Sequence, residues 1–232
     1  ASTAAAATKC ACGHSPVVMI SGFGATVLAE KQEDGSLKRV FPPDTKEILK
    51  LLGVNAPDLI TGIIKLIAQK GTDGIEKPMR EIITSIVEPL RMNDDGTSFY
   101  DIVPILSSAK DTSLEAFTKN GQLDLVPYTG SEFLDMEVIG DEIGDDHVFN
   151  FLYDWRLSHA DVAAQLHDYL AEVCALTGHD KVSVYSISQG CLLLGVYMYE
   201  YPDDNYIDRA VFDTPLLAGS NLVSDLYTDK PI

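Results

Sequence analysis

Lys181-Val-Ser-Val-Tyr-Ser-Ile-Ser-Gln-Gly190 decides the reading of this chain. Its β-branched and aromatic residues predict a short strand over 181–186. The strand runs straight into Ser186-x-Ser188-x-Gly190, and the apolar run Cys191-Leu-Leu-Leu-Gly-Val-Tyr-Met-Tyr199 follows as a helix. Strand, serine, helix is the order that a nucleophile elbow requires. Such a turn holds the serine backbone in a strained conformation, so the residues two before and two after it must be small; Ser186 and Gly190 are. Ser188 then stands at the tip, and the helix behind it directs its first amides at a developing oxyanion. The competing reading is an ordinary strand-to-helix turn with incidental serines.

Working outward, Pro16-Val-Val-Met-Ile-Ser-Gly-Phe-Gly24 reads as an apolar strand ending in a Gly-rich loop. A run so uniformly apolar suits a central parallel strand covered on both faces. Val148-Phe-Asn-Phe-Leu-Tyr-Asp-Trp155 is a further strand. Residues 160–177 carry Val162, Leu166, Leu170 and Val173 at helical spacing, with Gly178 as the stop signal. A helix over 189–201 ends before Pro202, and Ile207–Asp213 is a fourth strand. Alternating strands and helices predict an α/β fold with right-handed crossovers and a parallel sheet.

The stretch between Gly24 and Val148 has a different texture. Helical runs are predicted over 45–52, 59–67 and 80–90, with turn signals at Gly71-Thr-Asp-Gly74 and Asn93-Asp-Asp-Gly96. Either these helices simply pack on the sheet, or residues 42–140 form a helical cap or lid whose apolar surface meets lipid. Residues 14–41 and 141–232 then make up the core, and residues 1–13 a flexible tail of the kind left by signal-peptide removal. A secreted or cell-surface location is the corresponding expectation.

Composition narrows the function classes. The chain has 232 residues, 46% apolar and 22% charged, and 17 basic against 35 acidic residues give it a formal charge of −18. Such an acidic chain repels nucleic acid, and it lacks a basic stripe, so no nucleic-acid partner is expected. Strongly anionic membranes would repel it too, leaving apolar surface as the basis of any lipid contact. The four cysteines are Cys10, Cys12, Cys174 and Cys191. None makes a C-x-x-C pair, and His14 beside Cys10 and Cys12 provides too few ligands for zinc, so neither metal nor cofactor is expected. Cys174 and Cys191 lie on apolar helical stretches and read as small core residues.

Four separated stretches resemble one family. They are Pro16–Gly24 with Leu28-Ala-Glu-Lys31, then Tyr153-Asp-Trp-Arg156, then Ser186-Ile-Ser-Gln-Gly190, then Asn205-Tyr-Ile-Asp-Arg-Ala210 with Pro215 and Gly219-Ser220 after it. In order and spacing they are similar to the lecithin:cholesterol acyltransferase and lysosomal phospholipase group of α/β-hydrolases, over about residues 14–220. Tyr-Asp-Trp-Arg is the most specific of the four. The resemblance implies an α/β-hydrolase-type parallel sheet with helices on both faces, a lid insertion, and ester chemistry on lipids. It implies Ser188 as nucleophile and the backbone amides of Phe23 and Gln189 as oxyanion donors. Tyr153–Arg156 is then a structural brace: an ion pair, with an aromatic ring packed on the loop beside the site. The chain departs from the pattern at Ser186, at Cys191 and at Asp213-Thr-Pro215.

A serine hydrolase also needs a base and a carboxylate to orient it. Asp213, at the end of a strand after the nucleophile, is the candidate acid. No histidine follows Ser188; the five are His14, His147, His159, His167 and His179. Of these His159 is nearest the correct sheet edge, and all five read as surface or loop residues. The simplest expectation is that further strands beyond residue 232 bring the acid and histidine, so that the rest of its own chain is a partner. The leading expectation is a lipid-directed serine hydrolase or O-acyltransferase using an acyl-enzyme on Ser188. The alternatives are a non-catalytic lipid-binding or scaffold protein on the same shell, and an esterase for small soluble esters.

Overall fold

Four strands, β1 (Val17–Ile20), β5 (Val148–Phe151), β6 (Val182–Ile187) and β7 (Ile207–Asp213), pair in the order β5-β1-β6-β7, every neighbour parallel. The computed structural model describes residues 9–44, 46–55, 57, 73–126 and 132–219. The chain divides into two units, one of Ala1–Thr26 with Leu106–Ile232, the other Val27–Ile105.

The first unit contains the parallel sheet. Val18, Met19 and Ile20 of β1 and all four residues of β5 are buried, as expected of strands covered on both faces. From β5 the chain passes through α5 (His159–Thr177) to β6, stepping over β1, and from β6 through α6 (Gln189–Glu200) to β7. Both steps run in the same direction, so right-handed crossovers place both helices on one face of the sheet. There α5 and α6 pack on each other. Val162, Leu166, Leu170 and Val173 form the buried stripe of α5, which ends at Gly178 in the left-handed conformation, φ 70°. Two shorter helices, α3 (Leu114–Lys119) and α4 (Glu132–Ile143), contact β5. Among the described residues β7 is the outer strand, and its residues 208–211 are exposed.

Parallel strands place all their C-terminal ends at one edge of the sheet. That edge carries the loop after β1, the Tyr153–Arg156 segment after β5, Ser188 after β6, and Asp213 at the end of β7. The opposite edge carries residues 10–14 before β1, His147 before β5 and His179 before β6.

The second unit is less helical than expected. It contains an antiparallel sheet, β3-β2-β4, made of β2 (Leu28–Lys31), β3 (Leu37–Phe41) and β4 (Ile102–Pro104). Residues 28–41, expected in the core, thus pair within this unit, while residues 106–126 and 132–140, expected in the insertion, belong with the parallel sheet. Leu28 and Ala29 are fully buried, and their backbone groups are satisfied by β3 and β4. Helix α1 covers residues 46–55, and α2 is Asp73–Val87. The turn at 93–96 forms, with Gly96 at φ 82°. Of the turn expected at 71–74, Asp73 and Gly74 open α2, and residues 71 and 72 lie outside the described residues. The helix expected over 59–67 lies outside the described residues.

Part of the expected N-terminal tail is anchored. The Cys10 amide donates to the Gly178 carbonyl at 3.1 Å, and Lys9 Nζ lies 2.8 Å from Asp180 Oδ2.

Candidate active site

Ser188 sits between β6 and α6 with φ 52° and ψ −115°. Among the described residues only Thr214 shares a positive φ without being glycine. This is a costly conformation for a residue with a Cβ, on the order of 1–3 kcal/mol, and such residues concentrate at functional sites. The turn is pinned from β7, where the Asp213 carbonyl accepts the Ser188 amide at 3.0 Å.

Two glycines let the elbow approach the loop after β1. A Cβ on Gly190 would collide with the Ile20 carbonyl oxygen and lie 2.8 Å from that of Ser21. A Cβ on Gly22 would come within 3.0 Å of Ser188 Cβ and 3.5 Å of its Oγ. Ser186 is fully buried beneath the turn and donates to the Val211 carbonyl at 2.8 Å. Cys191 is buried too, its thiol 3.2 Å from the Ser186 carbonyl and 3.3 Å from that of Asp213, and burial pushes its pKa up. The two departures at Ser186 and Cys191 are therefore small groups wedged under the elbow. Because backbone meets backbone at Gly190, Gly190→Ala is expected to destabilise the chain by about 3 kcal/mol, at the upper end of overpacking costs. Urea unfolding measures this; a loss under about 1 kcal/mol would mean the contact relaxes freely.

Phe23 follows Gly22, and Gln189 is the first residue of α6. Among the described residues neither backbone N–H donates to a protein group. At Gln189 the helix adds the positive end of its dipole. The loop carrying Phe23 is held by the segment after β5. Tyr153 Oη donates to the Ser21 carbonyl at 2.8 Å, and burial pushes this phenol up, so it stays a donor. The Tyr153 amide donates to Thr26 Oγ1 at 3.3 Å. Trp155 packs edge-on against Phe23 with ring centroids 4.4 Å apart, and its carbonyl accepts Gln189 Nε2 at 2.9 Å. Asp154 and Arg156 form a buried two-point pair at 2.9 and 2.6 Å. One four-residue segment thus touches the loop carrying Phe23, the helix start and itself.

Asp213 is at this edge as expected, and its Oδ2 accepts from Tyr185 Oη at 2.6 Å. Among the described residues no histidine is hydrogen-bonded to Asp213 or to Ser188. The histidines separate by edge. His14, His147 and His179 lie at the far one. His167 on α5 bonds Asp204 at 2.8 Å and stacks on Tyr201. His159 opens α5 at the Ser188 edge; its Nε2 is buried without a partner among the described residues, and burial lowers its pKa. His147, expected at the surface, is buried.

Sequence reasoning missed two polar atoms here. Ser21 Oγ and Gln189 Oε1 are buried and find no partner among the described residues. Buried polar atoms without a protein partner are uncommon, and these two lie at the Ser188 edge. Nothing in the local pattern around either residue signals it. Compared with family models and with curated proteins, the chain has no match.

Proposed function

We propose that the chain is a lipid-directed serine hydrolase or O-acyltransferase with Ser188 as nucleophile. The observation that carries this reading is the backbone of Ser188, strained at φ 52° at the tip of a strand–helix turn and met by Gly22 of the neighbouring loop. Ser188 Oγ attacks an ester carbonyl while a base takes its proton. The Phe23 and Gln189 amides receive the carbonyl oxygen as it gains charge, and each such donor contributes about 3 kcal/mol to the transition state. The alcohol leaves with a proton, and the acyl group stays on Ser188. Water then releases it as acid, or a second alcohol carries it off as ester. The parallel sheet and the brace of Tyr153–Arg156 support an α/β-hydrolase-type core.

Lipid as substrate is supported by apolar side chains left in solvent. Phe23, beside the elbow, is 65% exposed. In the second unit Met79, Ile83 and Val87 make an exposed stripe on α2, and Ile48, Leu49 and Leu52 are exposed on α1. Amphipathic helices of this kind suit a surface that meets lipid, the role of a lid.

A fluorophosphonate probe tests the reading, followed by peptide mapping. The expected result is covalent label on Ser188, absent in Ser188→Ala and reduced in His159→Ala if His159 is the base. No label on the folded full-length protein sinks the enzyme. The second reading, a lipid-binding protein on a hydrolase shell, is favoured by the lack of a histidine bonded to Ser188 among the described residues. Vesicle binding without labelling would establish it. Turnover confined to dissolved short-chain esters would instead indicate the soluble-ester enzyme.

A further inference from the structure

At the sheet edge opposite Ser188, four side chains from three segments converge: Cys10, Cys12, His147 and His179, whose ligand atoms all lie within 4.8 Å of one another. We propose that these four side chains are the ligands of a structural zinc ion.

The geometry is that of a coordination shell. Cys10 Sγ is 3.8 Å from His147 Nε2, Cys12 Sγ is 3.7 Å from the same nitrogen, and Cys12 Sγ is 3.4 Å from His179 Nε2. With zinc bonds of about 2.3 Å to sulfur and 2.0–2.1 Å to nitrogen, the sulfur–nitrogen edge of a regular tetrahedron is about 3.6 Å. The observed separations straddle that length. Two thiolates and two imidazoles match the preference of zinc among divalent ions. Binding releases both thiol protons to solvent, and the doubly charged ion is then balanced by the two thiolates.

Three of the four ligands are also held from behind. His147 Nδ1 is 2.8 Å from Asp146 Oδ1, which leaves Nε2 facing the sulfurs, the carboxylate–histidine arrangement that orients metal ligands. His179 follows Gly178, and its amide donates to the Cys174 carbonyl at 3.2 Å. Cys10 is fixed by the hydrogen bond that its backbone amide donates to the Gly178 carbonyl. All four positions are filled by protein, so the site is closed and serves to staple the chain rather than to activate water. It joins the segments entering β1, β5 and β6. The sequence reading set zinc aside because it paired the cysteines with His14; the fold uses His147 and His179 instead.

The test is metal analysis of the 232-residue chain purified from zinc-supplemented medium with reductant and without chelator. The expected content is about one zinc per chain, falling at least tenfold in Cys12→Ser and in His179→Gln. Cobalt exchanged into the native chain should give the thiolate charge-transfer band and intense visible bands of a tetrahedral site. Asp146→Asn, which keeps all four ligands, should weaken zinc affinity by about 10- to 100-fold and so answers for variants that fail to fold. A reduced native chain that takes up neither metal overturns the proposal. So does full zinc content in both ligand variants, or a Cys10–Cys12 disulfide in place of metal.

Discussion

Ser188→Gly is expected to abolish ester turnover and to raise stability in the same molecule. The loss follows from the nucleophile role proposed for Ser188: removing the serine of a serine hydrolase lowers kcat by on the order of 10⁶. The gain follows from the backbone. At φ 52° and ψ −115° a Cβ is a liability, and glycine occupies positive φ without that penalty. Among the described residues the Ser188 side chain makes no hydrogen bond whose loss would offset the relief. A net gain of about 1 kcal/mol is the expected result, read from the urea midpoint at unchanged slope. Ser188→Ala should lose activity as completely without gaining stability, since alanine keeps the Cβ. If glycine destabilises the chain, Ser188 is not held under strain, and the elbow reading loses its physical basis.

The second large effect belongs to Asp154. Its carboxylate accepts from Arg156 Nε, Nη2 and the Arg156 amide, with only 2% of the aspartate side chain and 4% of the arginine's exposed. Asp154→Ala removes the carboxylate that meets the buried guanidinium at two points, and an expected cost of about 3–5 kcal/mol follows. Replacing both partners by leucine should cost less than the single change, because no charge is then stranded. The same segment holds Ser21 through Tyr153 and Gln189 through the Trp155 carbonyl. Fluorophosphonate labelling of the surviving folded fraction should therefore slow in Asp154→Ala. A double-variant cycle by chemical denaturation measures the coupling; additive losses would show that the pair acts as two independent groups.

The parallel sheet was legible because each of its strands is a run of β-branched and apolar residues set off by strong punctuation. Gly178 and Pro202 close the two crossover helices where the pattern puts their ends. The Ser188 turn could be read for the same reason: its neighbours must be small, and the requirement leaves a trace in the letters. The second unit was harder. Leu28-Ala-Glu-Lys31 and Ile102-Val-Pro104 are too short to show a period, and whether they join the parallel sheet or each other depends on partners far along the chain. The four side chains at the opposite edge are the extreme case. Cys12 and His179 are separated by 167 positions, and only the parallel order of β1, β5 and β6 brings them within reach. Adjacency in sequence pointed to His14 because nothing local indicated the fold's own choice. Ser21 and Gln189 likewise became orphans through burial, which no single residue type encodes.

The bare flank of β7 has a consequence for how the chain behaves in company. Among the described residues the strand's outer flank is unpaired and residues 208–211 are exposed, so the strand offers amides and carbonyls to any extended segment that drifts by. Asp208 and Arg209 are the charged residues along its exposed run, and no proline interrupts it. As protein concentration rises, the nearest extended segment is another copy of the same chain. Edge-to-edge pairing of two β7 strands is then the contact through which two copies would associate as a closed pair, unless a strand of the right length takes the position first.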